Sequence, residues 1–238
     1  MNAPPNKAAL SGTVLVRFLT SMQLTDAELS SDNFAERMSR LIGLSDSINI
    51  AQAHRNVDFQ AGEDNQVLVS IRQDFTAARE AIEEVVDKAF NPQDKPSRIK
   101  LPPLKFSEGK PEVEPFQRFY IAVQREMDYR ILPLWSGVRA QVAGASAEMA
   151  QLAAIDAALG ESLVPHAKEL FGVIPRLLGK RFEHLYQEYC ESGGDPVAVD
   201  GPWIEHFIND MQELLFAELE VRLLPVIGLM EAVEYEVE

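Results

Sequence analysis

The sequence predicts an all-α protein, a helical bundle of long, proline-kinked amphipathic helices. Three observations predict it. Ala, Leu, Glu, Gln and Arg recur while turn-rich and β-branched stretches are sparse. Apolar residues return at helical spacing over long windows. Four prolines, Pro133, Pro165, Pro175 and Pro225, interrupt apolar sequence in ILPLW, LVPHA, VIPRL and LLPVI. Each removes a backbone hydrogen bond, so kinks or short breaks are expected there.

Residues 1–10 read as a disordered start, polar and proline-containing. An N-terminal helical unit follows over 11–90. Ser11 to Met22 predicts a short helix. Asp32 is an N-cap candidate for the next, with Phe34, Met38, Leu41 and Ile42 on one side, and a third short helix is expected from Ser47 to Arg55. From Asp64 to Phe90 the pattern is strongest, with Ile71, Phe75, Ile82, Val86 and Ala89 on one face. Residues 91–115 carry prolines at 92, 96, 102, 103, 111 and 115 and no period. They read as a linker or an exposed, largely irregular loop.

Residues 116–238 read as a C-terminal helical bundle. Its first helix is expected from Glu114 to about Gly144, with Phe116, Phe119, Tyr120, Val123, Met127 and Ile131 inward. A second is expected from Ser146 to about Gly160, a third from Val164 to about Cys190, and a last from Trp203 to about Val237. ESGGDPVAVDGP is the loop before the last helix, with Gly193-Gly194 as a turn.

Composition restricts function. Of 238 residues, 46% are hydrophobic and 25% charged, as in a soluble globular protein. The formal net charge of -15 argues against a surface for phosphates or anionic membranes. Residues 191–238 hold twelve acids and one basic residue, Arg222, whereas residues 91–140 hold nine Lys or Arg against six acids. That asymmetry suits docking, a homo-oligomer or a partner, and equally an acidic solvated surface. Nucleic-acid binding through Lys95, Lys100, Lys105 and Lys110 is disfavoured by the overall acidity. A single cysteine, Cys190, fits a reducing compartment. With no signal peptide expected and no apolar run of membrane-spanning length, a soluble cytoplasmic protein is expected.

Chemistry-bearing motifs are sparse. His54, His166, His184 and His206 are scattered, none follows a Glu by three residues, and no HExxH or Cys/His cluster occurs. Phosphate-binding glycine loops and GxSxG are absent from the sequence. No metal, cofactor or catalytic residue is therefore expected.

Charges inside apolar faces are the informative feature. Turning about 100° per residue from Met211 places Glu213 and Glu220 opposite the apolar arc. Glu218 and Arg222 fall at about -20° and +20°, in its middle, four residues apart in the acid-first order that favours helix pairs. The same projection centres Arg181 among Leu170, Ile174, Leu178 and Leu185, and Asp156 among Met149, Leu152 and Leu159. A charge in such a place is paired or loses its ionisation. Asp156, Arg181, Glu218 and Arg222 are thus candidates for a buried polar network containing at least one interhelical salt bridge. The competing reading makes Asp156 and Glu218 the acid and base of a helical-bundle enzyme.

PFQRFYIAVQREMDYRILPLWSGVRAQV, MAQLAAIDAALGESL, IPRLLGKRFEHLYQEY and GPWIEHFINDMQELLFAELEVRLLPVIGLMEAV resemble an uncharacterised proteobacterial domain-of-unknown-function family of about this length. SGTVLVRFL and FAERMSRLIGLSDSINI resemble it as well. The four network candidates lie in matching segments. The resemblance implies no activity. It implies a genomic neighbourhood of OmpA/MotB-like and predicted membrane proteins, and hence a cytoplasmic partner of cell-envelope machinery. The expected function is a non-enzymatic cytoplasmic interaction protein, a scaffold or adaptor, with a protein partner or a second copy of itself.

Overall fold

A computed structural model describes residues 15, 64–91 and 98–237. The start at 1–10, the short helices expected within 11–55, and His54 lie outside the described residues, except that Leu15 is helical and buried. The described chain is all-α. It contains helices α1 (Asp64–Phe90), α2 (Glu114–Ala143), α3 (Ala147–Phe171), α4 (Ile174–Glu191) and α5 (Pro202–Val237). A two-stranded ribbon, β1 (Phe106–Ser107) and β2 (Lys110–Pro111), is the only sheet among the described residues.

The chain divides into two compact units, each drawing on sequence from both sides of the proline-rich stretch. Unit 1 comprises Glu84–Glu126 and Phe171–Val221, and unit 2 gathers 64–83, Met127–Leu170 and 222–237 of the described chain. In unit 1, Phe116, Phe182, Phe207 and Trp203 pack edge-on or tilted with ring centroids 5.0–5.8 Å apart, the geometry that aromatic quadrupoles favour. In unit 2, Ile71, Val138, Val142, Ala153, Val226, Leu229 and Val233 form an apolar core. Within unit 1, Phe116 meets Phe207 and Gln124 meets Glu218, so α2 and α5 run side by side in the same direction.

Three sequence expectations change. First, α3 does not end at about Gly160 but continues to Phe171, and the break falls at 172–173. Gly160 is a contact residue and not a terminator. A Cβ there would stand 3.1–3.3 Å from the Trp135 ring and the Arg139 guanidinium. Second, of the four prolines expected at kinks or short breaks, Pro175 follows a break, at the start of α4, and Pro133, Pro165 and Pro225 lie within continuous helices. Proline is tolerated at the first helical position because its N–H would lack a partner there anyway. At Pro133 the loss of one hydrogen bond, about 3 kcal/mol, is opposed by burial of Ile131 and Val138 on the same helix, about 1.5–3 kcal/mol each. Third, the stretch 91–115 contains the ribbon. Phe106 pairs with Pro111 and Ser107 with Lys110. Glu108 and Gly109 turn between them with φ 52° and 78°, the positive pair a tight two-residue hairpin requires.

Helix α5 also departs from a one-faced helix. Buried residues run from Ala217, at about -120° from Met211, to Leu223, at about +120°. Glu205, His206, Asn209, Glu213, Leu224, Gly228 and Glu231 are exposed on the remaining side, about 140° wide, and Glu220, expected on the surface, is half-buried.

Candidate functional site

Glu218 has no exposed surface. Two residues one turn apart on α2 face its carboxylate. Tyr120 Oη donates to Oε2 at 2.9 Å, and Gln124 Nε2 approaches Oε1 at 2.9 Å and Oε2 at 3.0 Å. Gln124 Nε2 also donates to the Phe171 carbonyl at 3.2 Å. An amide nitrogen has two protons, so it can serve the carboxylate and the end of α3 together. These hydrogen bonds offset part of the cost of removing a polar group from water, and leaving one unmade costs about 1–3 kcal/mol.

The second clasp of unit 1 joins α4 to α5. Arg181 Nε donates to Asp210 Oδ2 at 2.8 Å, with both side chains 12% exposed. His206 Nε2 lies 3.5 Å from the other Asp210 oxygen, on the solvent side. Burial on this scale makes the pair matter, since loss of one member strands the other.

Unit 2 holds the other two candidates. Asp156 on α3 accepts from Trp135 Nε1 at 2.9 Å and from Arg139 Nε at 2.7 Å, both on α2. The Arg139 guanidinium lies 4.9 Å from the centroid of the Trp135 ring, which adds a cation–π attraction. Gly160, one turn beyond Asp156, leaves room for both side chains. Arg222 Nη1 donates to Asp128 on α2, and its own side chain is only 8% exposed.

Asp156 thus meets Trp135 and Arg139, Arg181 meets Asp210, Glu218 meets Tyr120 and Gln124, and Arg222 meets Asp128. Glu218 and Arg181 lie in unit 1, Asp156 and Arg222 in unit 2. Projection found the charges on α3, α4 and α5 but not their partners Tyr120, Gln124, Asp128, Arg139 and Asp210. Tyr120 and Gln124 carried a signal, since their four-residue spacing stacks two polar groups on the face that buries Val123 and Met127. Asp210 carried little, being the neighbour of buried Met211 and offset from the centre of the arc.

The end of α4 is finished by a local motif. Gly193, with φ 89°, donates its N–H to the Cys190 carbonyl, and Gly194 donates to that of Tyr189. These two bonds satisfy carbonyls of the last turn in a Schellman arrangement. The reading of Gly193-Gly194 as a turn gains a cause. Tyr186, half-buried on α4, donates its hydroxyl to the Pro196 carbonyl at 3.1 Å and so fastens the following loop. Burial holds its phenol above the usual range, and the hydrogen bond and charge interaction with Cys190 add to that. Cys190 itself is a half-buried free thiol.

Among the described residues no group of three His, Cys, Asp or Glu side chains is placed to hold a metal ion, and no helix is long and apolar enough to cross a membrane. Fold and clasps together define an all-helical protein whose interior charges join one helix to another. The chain belongs to the family described as "Protein of unknown function (DUF3348)", whose model matches residues 1–235. No curated protein and no solved structure matches the chain.

Proposed function

We infer that this chain is a non-enzymatic interaction protein, a cytoplasmic scaffold or adaptor that serves a cell-envelope-associated complex in a proteobacterium. The observation that carries this reading is the outer face of α2 in unit 2. Tyr129 is 75% exposed and Leu132 40% exposed, with Pro133 exposed beside them. Their spacing of three and four residues makes one apolar patch on the helix. Contiguous exposed apolar surface rimmed by polar groups marks binding surfaces in soluble proteins. A large aromatic with little conformational freedom is a favoured anchor at such surfaces.

The enzymatic alternative needs Asp156 and Glu218 to meet a substrate. Glu218 is fully buried with both oxygens engaged, and Asp156 is held by two donors from α2. That engagement supports the structural reading of these groups over the enzymatic one.

Affinity capture from native cells tests the reading, with the wild-type chain compared against Tyr129→Asp/Leu132→Asp. A reproducible protein partner lost in the double variant is the expected result. Equal recovery by both chains, or recovery of the chain alone, would remove the patch as an adaptor surface.

A further inference from the structure

We propose that two copies of this chain pair across a twofold axis, each inserting the loop before α5 against the lysine-bearing segment before α2 of the other. The inference is independent of the adaptor reading, because it concerns unit 1 and the chain's affinity for itself.

The first surface is the loop at 192–201. It is fastened at three points: Tyr186 Oη to the Pro196 carbonyl, and Val197 N and Ala198 N to Asp195. On this fixed turn Val197 and Val199 stand 58% and 60% exposed. Glu191, Asp195, Asp200 and Glu205 are exposed around them. The loop is thus an apolar tip with an anionic rim, held in one shape and so entropically inexpensive to dock.

The complementary surface is residues 98–111. Arg98, Lys100, Lys105 and Lys110 are exposed, and half-buried Leu101, Leu104 and Phe106 lie between them. It is fastened too, through Leu101 N to the Ala89 carbonyl, Glu112 N to the Lys105 carbonyl and the β1–β2 pairing. In a chain of net charge -15, this cationic stretch is the surface most attracted to an acidic rim.

Placement supplies the symmetry. Phe116, in the first turn of α2, packs 5.6 Å from Phe207, near the start of α5, and the two helices run in the same direction. The segments that lead into them therefore emerge at the same end of unit 1. A twofold axis at that end brings the anionic loop of each copy to the cationic segment of the other. Such an interface is self-complementary and closes at two copies.

Sedimentation velocity on the full chain tests this with two charge-reversed variants, Glu191→Lys/Asp200→Lys and Lys105→Glu/Lys110→Glu. All four positions are exposed and none takes part in a clasp, and circular dichroism checks that each variant folds. The wild type is expected to dimerise with rising concentration. Each variant alone places like charge against like charge, so its dimerisation is expected to weaken about tenfold or more. Mixed one to one, the variants are expected to form a heterodimer, since each then offers what the other lacks. Val197→Ser/Val199→Ser is expected to weaken the wild-type dimer, since the same apolar tip is buried in it. A wild-type chain that stays monomeric or grows past a dimer overturns the proposal. So do variants that dimerise alone like the wild type, or that stay monomeric when mixed.

Discussion

At the scale of single residues, the strongest determinant in the interior is Glu218, because a carboxylate with no exposed surface depends wholly on its donors. Tyr120→Phe removes one donor and leaves the ring in place, so it is expected to lower unfolding free energy by about 2 kcal/mol. Glu218→Gln turns one acceptor into a donor facing Tyr120 and Gln124, and is expected to cost at least as much. In the double variant the two losses should overlap and not add, since both disturb the contact between the same two groups. Urea denaturation of the four proteins measures this, and strict additivity would mean the two groups do not interact. Tyr186 gives a second residue-scale expectation. Burial, then its interaction with Cys190, raises its phenol above the ordinary value. In the unfolded chain this tyrosine ionises first as pH climbs. Its contribution to stability is thus fully present below the ordinary phenol value and is lost as pH rises through the raised one. Phenolate absorbance should show a late-ionising component that shrinks by one tyrosine in Tyr186→Phe. An unchanged curve in that variant would show that Tyr186 titrates like an exposed tyrosine.

At the scale of elements, the periodic segments were legible in the sequence and the reasons for their ends were not. The stripes Ile71–Ile82–Val86 on α1 and Phe116–Tyr120–Val123–Met127 on α2 are the faces that are buried, because a 3.6-residue period is set by the backbone alone. Gly160 misled because glycine has two uses. It ends helices, and it also admits close neighbours; here the neighbours, Trp135 and Arg139, are distant in sequence. The interior charges were legible one helix at a time for the same reason. A projection shows where Arg181 points, but the identity of Asp210 depends on how α4 lies against α5. That clasp supports a further expectation. Arg181→Met leaves Asp210 in a site only 12% exposed, and should cost about 3 kcal/mol, the lower end for breaking a buried pair because His206 stands 3.5 Å from Asp210. Adding Asp210→Leu should recover much of that loss, since an apolar pair of similar size carries no desolvation cost. If the double variant were no more stable than Arg181→Met, the loss would come from packing of the arginine stem and not from a stranded charge.

At the scale of the whole molecule, two electrostatic effects oppose each other, and their magnitudes decide the outcome. The net charge of -15 repels itself in the folded state more than in the expanded chain, which favours unfolding at low salt. Against this stand surface ion pairs such as Arg72–Glu234 and Arg79–Glu83, whose side chains are 36–61% exposed. Exposed pairs contribute about 0–1 kcal/mol each and are screened by the same salt. The inner clasps at Glu218 and Arg181–Asp210 respond weakly, since buried groups are screened much less. A long-range repulsion summed over fifteen excess charges should therefore outweigh a few exposed pairs. Raising sodium chloride from about 0.01 M, where screening reaches about 30 Å, to about 0.15 M, where it reaches about 8 Å, is expected to raise the melting temperature by several degrees. The Arg72→Gln variant should show the same rise from a nearly unchanged starting point, because its partner Glu234 is 38% exposed and its loss removes little. Calorimetry across that salt range measures both. A melting temperature that falls with salt would mean that specific ion pairs, and not net charge, dominate the electrostatics of this fold.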